Sequence, residues 1–70
     1  MYAKTKWFSK KLGYGFLVTD DGQEIFVHQS NLRMDGFRYL RRGQMVDFKI
    51  GSGKNGKKQA VDVTPLYVLT

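Results

Sequence analysis

Tyr14 and Phe16 stand two apart in LGYGFLV (12–18), and Phe26 and His28 stand two apart in IFVHQSNL (25–32). Period-two spacing puts both members of each pair on one face of an extended strand. Trp7 and Phe8 precede them in KWFSKK. Rings gathered on an outward face can stack on other flat π-systems, and unstacked nucleobases offer such faces at roughly 1–3 kcal/mol per base. Gly13 and Gly15 flank Tyr14, although glycine inside a strand costs entropy and adds no packing. The expectation is that bare backbone there lets a base or sugar approach the rings closely.

The charges point the same way. Twelve Lys and Arg stand against six Asp and Glu, a net charge of +6. A field of that sign attracts polyanions, nucleic acid first and anionic membrane surface second. Lys4, Lys6, Lys10 and Lys11 lie on and after the first run, Lys54, Lys57 and Lys58 in GSGKNGKK, and Arg33, Arg38, Arg41 and Arg42 between residues 29 and 43. Together they are expected to track a phosphate backbone, so that binding weakens with salt.

Catalytic and metal chemistry find little support. His28 is the sole histidine and there is no cysteine, which excludes disulfides and thiolate metal sites. Asp20, Asp21 and Glu24 surround a hairpin, where turn formation accounts for the aspartates. GSGKNGKK is rich in glycine but lacks the GKS/T ending of a nucleotide-binding loop. The chain is therefore expected not to be an enzyme and to need no cofactor or metal.

These side chains must be positioned by strands. Helical periodicity is almost absent, while short alternating runs recur between turn signals. The runs are Tyr2 to Ser9, Tyr14 to Thr19, Gln23 to His28, Gln44 to Ile50 and Gln59 to Thr64, the last closed by Pro65. Asp20-Asp21-Gly22 supplies a tight hairpin turn. A long polar connection, residues 29–43, opens on a short helical turn at Ser30-Asn31-Leu32, and GSGKNGKK reads as a flexible loop. Alternation places Leu17, Ile25, Val27, Val46, Phe48, Ile50, Val61 and Val63 in the core, with Asp47, Lys49 and Asp62 outside.

Seventy residues make one small domain. Five strands with a single long excursion predict an all-β, five-stranded antiparallel Greek-key barrel of the OB type. The domain is expected over residues 1–64, followed by a short apolar tail, 65–70, that caps the barrel, pairs with an edge or mediates self-association. A monomer is expected, with a dimer through that tail as the alternative. No apolar run approaches a membrane span and the start lacks a signal-peptide core, so no membrane partner and a cytoplasmic location are expected.

KWFSKKLGYGF (6–16) followed by IFVHQSNL (25–32) resembles the cold-shock domain, which joins a K-W-F segment, a G-[FY]-G-F motif and a V-F-V-H motif. GFRYLRRGQMVDF (36–48) and QAVDVT (59–64) resemble its long loop and last two strands, in the same order. The resemblance implies a barrel that binds single-stranded RNA or DNA with low sequence specificity by stacking bases, acting as an RNA chaperone or as a regulator of transcription or translation. Its binding positions carry over onto Lys6, Trp7, Phe8, Tyr14, Phe16, Phe26, His28 and Phe37, with Arg38 and Lys57 among the surrounding charges. Where the family usually has lysine before the first motif glycine this chain has Leu12, which leaves the contact to Lys11. Gln29 follows the motif histidine, where bacterial relatives often carry phenylalanine, and would exchange a stacking platform for hydrogen bonding. The alternative is a basic barrel that coats or bends duplex DNA.

Overall fold

The computed structural model describes residues 1–34, 38–53 and 56–66. Five strands form, β1 (Tyr2–Ser9), β2 (Tyr14–Val18), β3 (Glu24–His28), β4 (Met45–Ser52) and β5 (Lys58–Pro65), with one 3-10 turn at Gln29–Asn31. They close into a barrel in the order β1-β2-β3-β5-β4 and back to β1. Four seams are antiparallel. The fifth, between β3 and β5, is parallel and two residue pairs long, Phe26 with Gln59 and Val27 with Ala60.

The β2–β3 hairpin turns through Asp20, Asp21 and Gly22, as expected. Gly22 N–H donates to Thr19 O at 3.0 Å, Thr19 N–H donates to Gln23 O at 2.9 Å, and Gly22 has φ +85°. A turn followed by a left-handed glycine is a usual way to keep such a loop in register. The helical turn starts one residue earlier than expected, because the His28 side chain caps it. Gly51, Ser52 and Lys58, expected in a flexible loop, extend β4 and β5.

Two irregularities decide which side chains face inward. Thr5 pairs with Leu17 and Trp7 with Phe16, so β1 takes two steps where β2 takes one, and Lys6 is the extra residue. Ala3 and Thr5 face the core; after this bulge Trp7 turns outward and Phe8 turns in. In β5, Asp47 pairs with Thr64 and Lys49 with Val61, which leaves one extra residue on β5 near Asp62, whose φ is +49°. Ala60 and Val63 consequently both face the core although three apart.

The core holds Ala3, Leu17, Ile25, Val27, Leu32, Leu40, Val46, Phe48, Ala60 and Val63, with Phe8 and Met34 packed against it. Two expected core members are corrected. Val61 is only half-buried because the bulge breaks the alternation. Ile50 keeps inward parity, opposite the buried Ala60, but is 40% exposed. It lies beyond the start of β1, which meets β4 only through Met45, Val46 and Asp47. Pro65 is buried in β5, and Leu66 N–H donates to Met45 O at 2.9 Å. Among the described residues no helix is long and apolar enough to cross a membrane.

Candidate nucleic-acid interface

Directly opposed residues in a sheet share a face, so register alone builds the site. On the outer face of β1-β2-β3, Ser9, Tyr14 and His28 make one row, and Trp7, Phe16 and Phe26 make the next. Val18 then stands between Lys4 and Glu24. Four rings close into a circuit. Centroids lie 5.5 Å apart for Trp7–Phe16, 5.8 Å for Phe16–Phe26, 5.6 Å for Tyr14–Phe26 and 6.0 Å for Trp7–Tyr14. Interplanar angles of 37° to 76° are tilted or edge-on, the contacts that ring quadrupoles favour, and no pair is stacked face to face. All four rings remain partly exposed.

Phe8 sits differently. It opposes Gly15 on the inward parity and packs partly against the core. The two glycines also have structural reasons that the close-approach expectation did not include. A Cβ on Gly15 would stand 2.2 Å from the Trp7 carbonyl oxygen and 2.6 Å from Phe8 Cα, so β1 and β2 meet only because Gly15 has no side chain. Gly13 has φ +79°, and a Cβ there would lie 3.1 Å from the Gln29 side-chain amide carbon. Gly15 points into the barrel, not toward a ligand.

His28 is held by its own turn. The Ser30 backbone N–H donates to Nδ1 at 3.1 Å, and Ser30 Oγ lies 2.9 Å from the same nitrogen. A backbone N–H can only donate, so Nδ1 is an acceptor and the neutral ring carries its proton on Nε2. Gln29 N–H donates to Gly13 O at 2.8 Å, which ties the 3-10 turn to the start of β2 beside Tyr14.

The cations divide into groups. Lys6 Nζ pairs with Glu24 Oε1 at 2.8 Å. Lys57 and Lys58 line a groove with Phe16, Glu24, Phe26 and Gln59, which extends the ring patch onto β5. Lys11 is exposed in the turn after β1, and Lys10 Nζ sits 4.1 Å from the Tyr39 ring centroid. Arg38 lines a groove with Ser30, Asn31 and Arg33 beside the 3-10 turn. That groove includes Asp62 and none of the four rings, so Arg38 is placed with Arg33, and Arg33 is turned to β5. It donates from Nε and Nη2 to Asp62 Oδ1 on β5, at 3.0 and 2.6 Å. The Arg33 hydrogen bond, then its charge, hold the Asp62 carboxyl below the usual aspartate value. Asp21 is also lowered, chiefly by the Thr19 hydroxyl bonded to it.

Phe37 lies outside the described residues. Gln59 stands beside Phe26 through the parallel seam, a placement that sequence reasoning missed, since no local pattern announces a parallel pairing. Among the described residues no three His, Cys, Asp or Glu side chains gather to hold a metal.

Comparison with known proteins agrees with this geometry. The 'Cold-shock' DNA-binding domain family matches residues 1–66. The chain is 48% identical over 60 residues to a cold shock-like protein of Thermotoga maritima, covering 86% of this chain and 91% of that protein. It is 43% identical over 61 residues to the major cold shock protein of Streptococcus pyogenes, covering 87% and 90%. It is also 52% identical over 60 residues to glycine-rich protein 2 of Nicotiana sylvestris, covering 84% of this chain but only 28% of that protein. The closed barrel, the ring patch on its first three strands and a family match over nearly the whole chain agree: this protein belongs to the cold-shock domain family of non-enzymatic nucleic-acid binders.

Proposed function

We propose that the protein binds single-stranded RNA or DNA with low sequence specificity, stacking bases on the outer face of β1-β2-β3, and acts in the cytoplasm as an RNA chaperone or as a regulator of transcription or translation. The observation that carries this reading is the circuit of Trp7, Phe16, Phe26 and Tyr14. Its rings touch one another at their edges and tilts, which leaves faces free for bases. A row of rings on neighbouring strands suits splayed bases better than the groove of a duplex.

In this reading Trp7, Tyr14, Phe16, Phe26, His28 and Phe37 stack on bases, and Phe8 supports the patch from below. Lys6, Lys11, Arg38 and Lys57 meet phosphates. Gln29 and the Nε2–H of His28 supply hydrogen bonds to base edges or backbone. Stacking hardly senses the sugar, so RNA and single-stranded DNA are both accepted.

Trp7 fluorescence tests the proposal directly. Titration with single-stranded dT and rU oligomers is expected to quench it strongly, while a duplex of equal length does not. Equal or tighter duplex binding would replace this reading with that of a barrel that coats double-stranded DNA.

A further inference from the structure

The ring patch has an edge at Trp7, and the chain beyond that edge is basic. Phe26, Phe16 and Trp7 stand in one row across β3, β2 and β1. β4 flanks β1 on the side away from β2. The residues before β4 follow the same edge. Gly43 N–H donates to Thr5 O and Thr5 N–H donates to Gln44 O, both at 2.8 Å, while Lys10 Nζ lies 4.1 Å from the Tyr39 ring centroid. Residues 39–44 therefore run back along β1 from Lys10 to Thr5, past Trp7. At about 4.8 Å per strand spacing, this segment lies roughly 10 Å from β2.

Arg41 and Arg42 are exposed on this segment and line one groove with Met34, Tyr39 and Leu66. Neither has a carboxylate partner among the described residues, whereas Lys6 is held by Glu24 and Arg33 by Asp62. The groove carries a single aromatic side chain, Tyr39, which is half-buried with the Lys10 ammonium over its ring. Stacking faces thus end at Trp7 and unpaired cations begin. Nucleotides past Trp7 find partners for their phosphates but no platform for their bases, so they stack on one another, in an order that base pairing holds.

We infer that the Arg41–Arg42 groove takes the phosphates of a paired stem adjoining the single strand, so that the preferred target is a junction with unpaired bases on the rings and duplex past Trp7. This rests on the single-strand reading above. The groove reaches round the barrel to Leu66, whose N–H donates to Met45 O from the side of β4 away from β1. One strand lying flat on the rings leaves the surface at that corner. A duplex has two backbones, set apart by a major groove of about 12 Å, close to the spacing between β2 and the arginine segment. One of its strands stays continuous with the bases at Trp7 while the other meets the arginines. A copy so placed captures the terminal pair of the stem whenever it opens, and shifts the stem toward its open form.

The experiment follows Trp7 quenching by a dT oligomer long enough for one barrel. It compares this strand with the same strand carrying a DNA hairpin stem at one end or at the other, and with the strand lengthened by abasic residues that supply the stem's number of phosphates. At low salt the stem is expected to tighten binding by about tenfold from one end only, with a salt slope steeper by about 2, the value for two phosphate contacts. The abasic extension is expected to gain far less. Arg41→Gln/Arg42→Gln is expected to melt with the parent and to bring the stem's gain close to unity, each oligomer being compared on the same variant. Arg41→Lys/Arg42→Lys, which keeps both charges, is expected to retain the gain. No gain, an equal gain from either end, or an abasic extension as good as the stem overturns the inference. So does a gain that survives Arg41→Gln/Arg42→Gln, which would leave the groove to another occupant such as an acidic peptide. Failure of the bare dT oligomer to bind instead overturns the single-strand reading itself.

Discussion

Lys6 Nζ lies 2.8 Å from Glu24 Oε1, an ion pair that reaches across β2 from one side of the ring patch to the other. Both side chains are half exposed, a setting in which such pairs are worth little. A phosphate arriving at the patch competes with Glu24 for the same ammonium. Glu24→Gln is therefore expected to tighten binding up to about fivefold at low salt, the range set by an exposed pair. The dependence on salt should steepen by about one phosphate contact. Titrations at several salt concentrations check this, and an unchanged slope would place Lys6 away from the phosphates.

Phe16 and Phe26 touch at 5.8 Å on the outer face, so each can be removed without opening the core. Phe16→Ala and Phe26→Ala are each expected to weaken single-strand binding by about 1–3 kcal/mol. Because the two rings share a contact, the double variant should lose less than the sum. Oligomer titrations of the four members of that cycle give the coupling.

Gly15 and Gly22 separate space from backbone conformation. Gly15→Ala forces a methyl group into the Trp7 carbonyl and is expected to cost about 1–3 kcal/mol or more, the scale of overpacking. Gly22→Ala meets nothing within 4 Å but must hold φ +85°, a strain of about 1 kcal/mol. Urea melts of both variants test the order. A Gly15→Ala protein that melts like the parent but binds poorly would restore a ligand-facing role for that glycine.

Thr5 is 1% exposed, and its hydroxyl has no partner among the described residues. Valine has nearly the same shape without the polar atom. Thr5→Val is expected to raise stability by about 1 kcal/mol, the low end of the cost of an unsatisfied buried group. Thr5→Ser should do the reverse, since it keeps the hydroxyl and loses the methyl.

Asp62 and Asp21 both contribute a pH dependence, and Asp62 does so through a partner in the long connection. Its folded pKa is depressed, so its contribution to stability is present above the ordinary aspartate value near 3.8 and is lost as pH falls through the lower folded value. Asp62→Asn tolerates φ +49° while removing the charge. The variant is expected to be less stable than the parent at pH 7 and to match it in strong acid, as chemical melts at both pH values would report.

The parts of the fold legible in the sequence are those governed by local rules. Alternation located all five strands within two residues at each end and set the outward faces of β2 and β3, because that hairpin has no irregularity. Val61 is misplaced where β5 gains a residue on β4, and Ile50 where β4 runs past the start of β1. Nothing in KTKWFS signals that Lys6 is extra, and nothing in AVDVT signals the step at Asp62; both are settled by how the barrel closes. Leu32 and Leu40, buried from the long connection, carry no period to betray them. The rings were readable as a patch from parity, whereas the partners of Lys6 and Arg33 needed three dimensions.

The barrel's closing seam also bears on the order of folding. The four-ring patch is assembled from β1, β2 and β3 alone, neighbours in the chain joined by two short turns. Contacts between near neighbours form before those that close large loops. The two-pair seam between β3 and β5 must wait for the long connection and the β4–β5 hairpin to arrive. Every residue of the four-ring platform thus precedes His28 in the chain, while the strands that shut the barrel behind it come later.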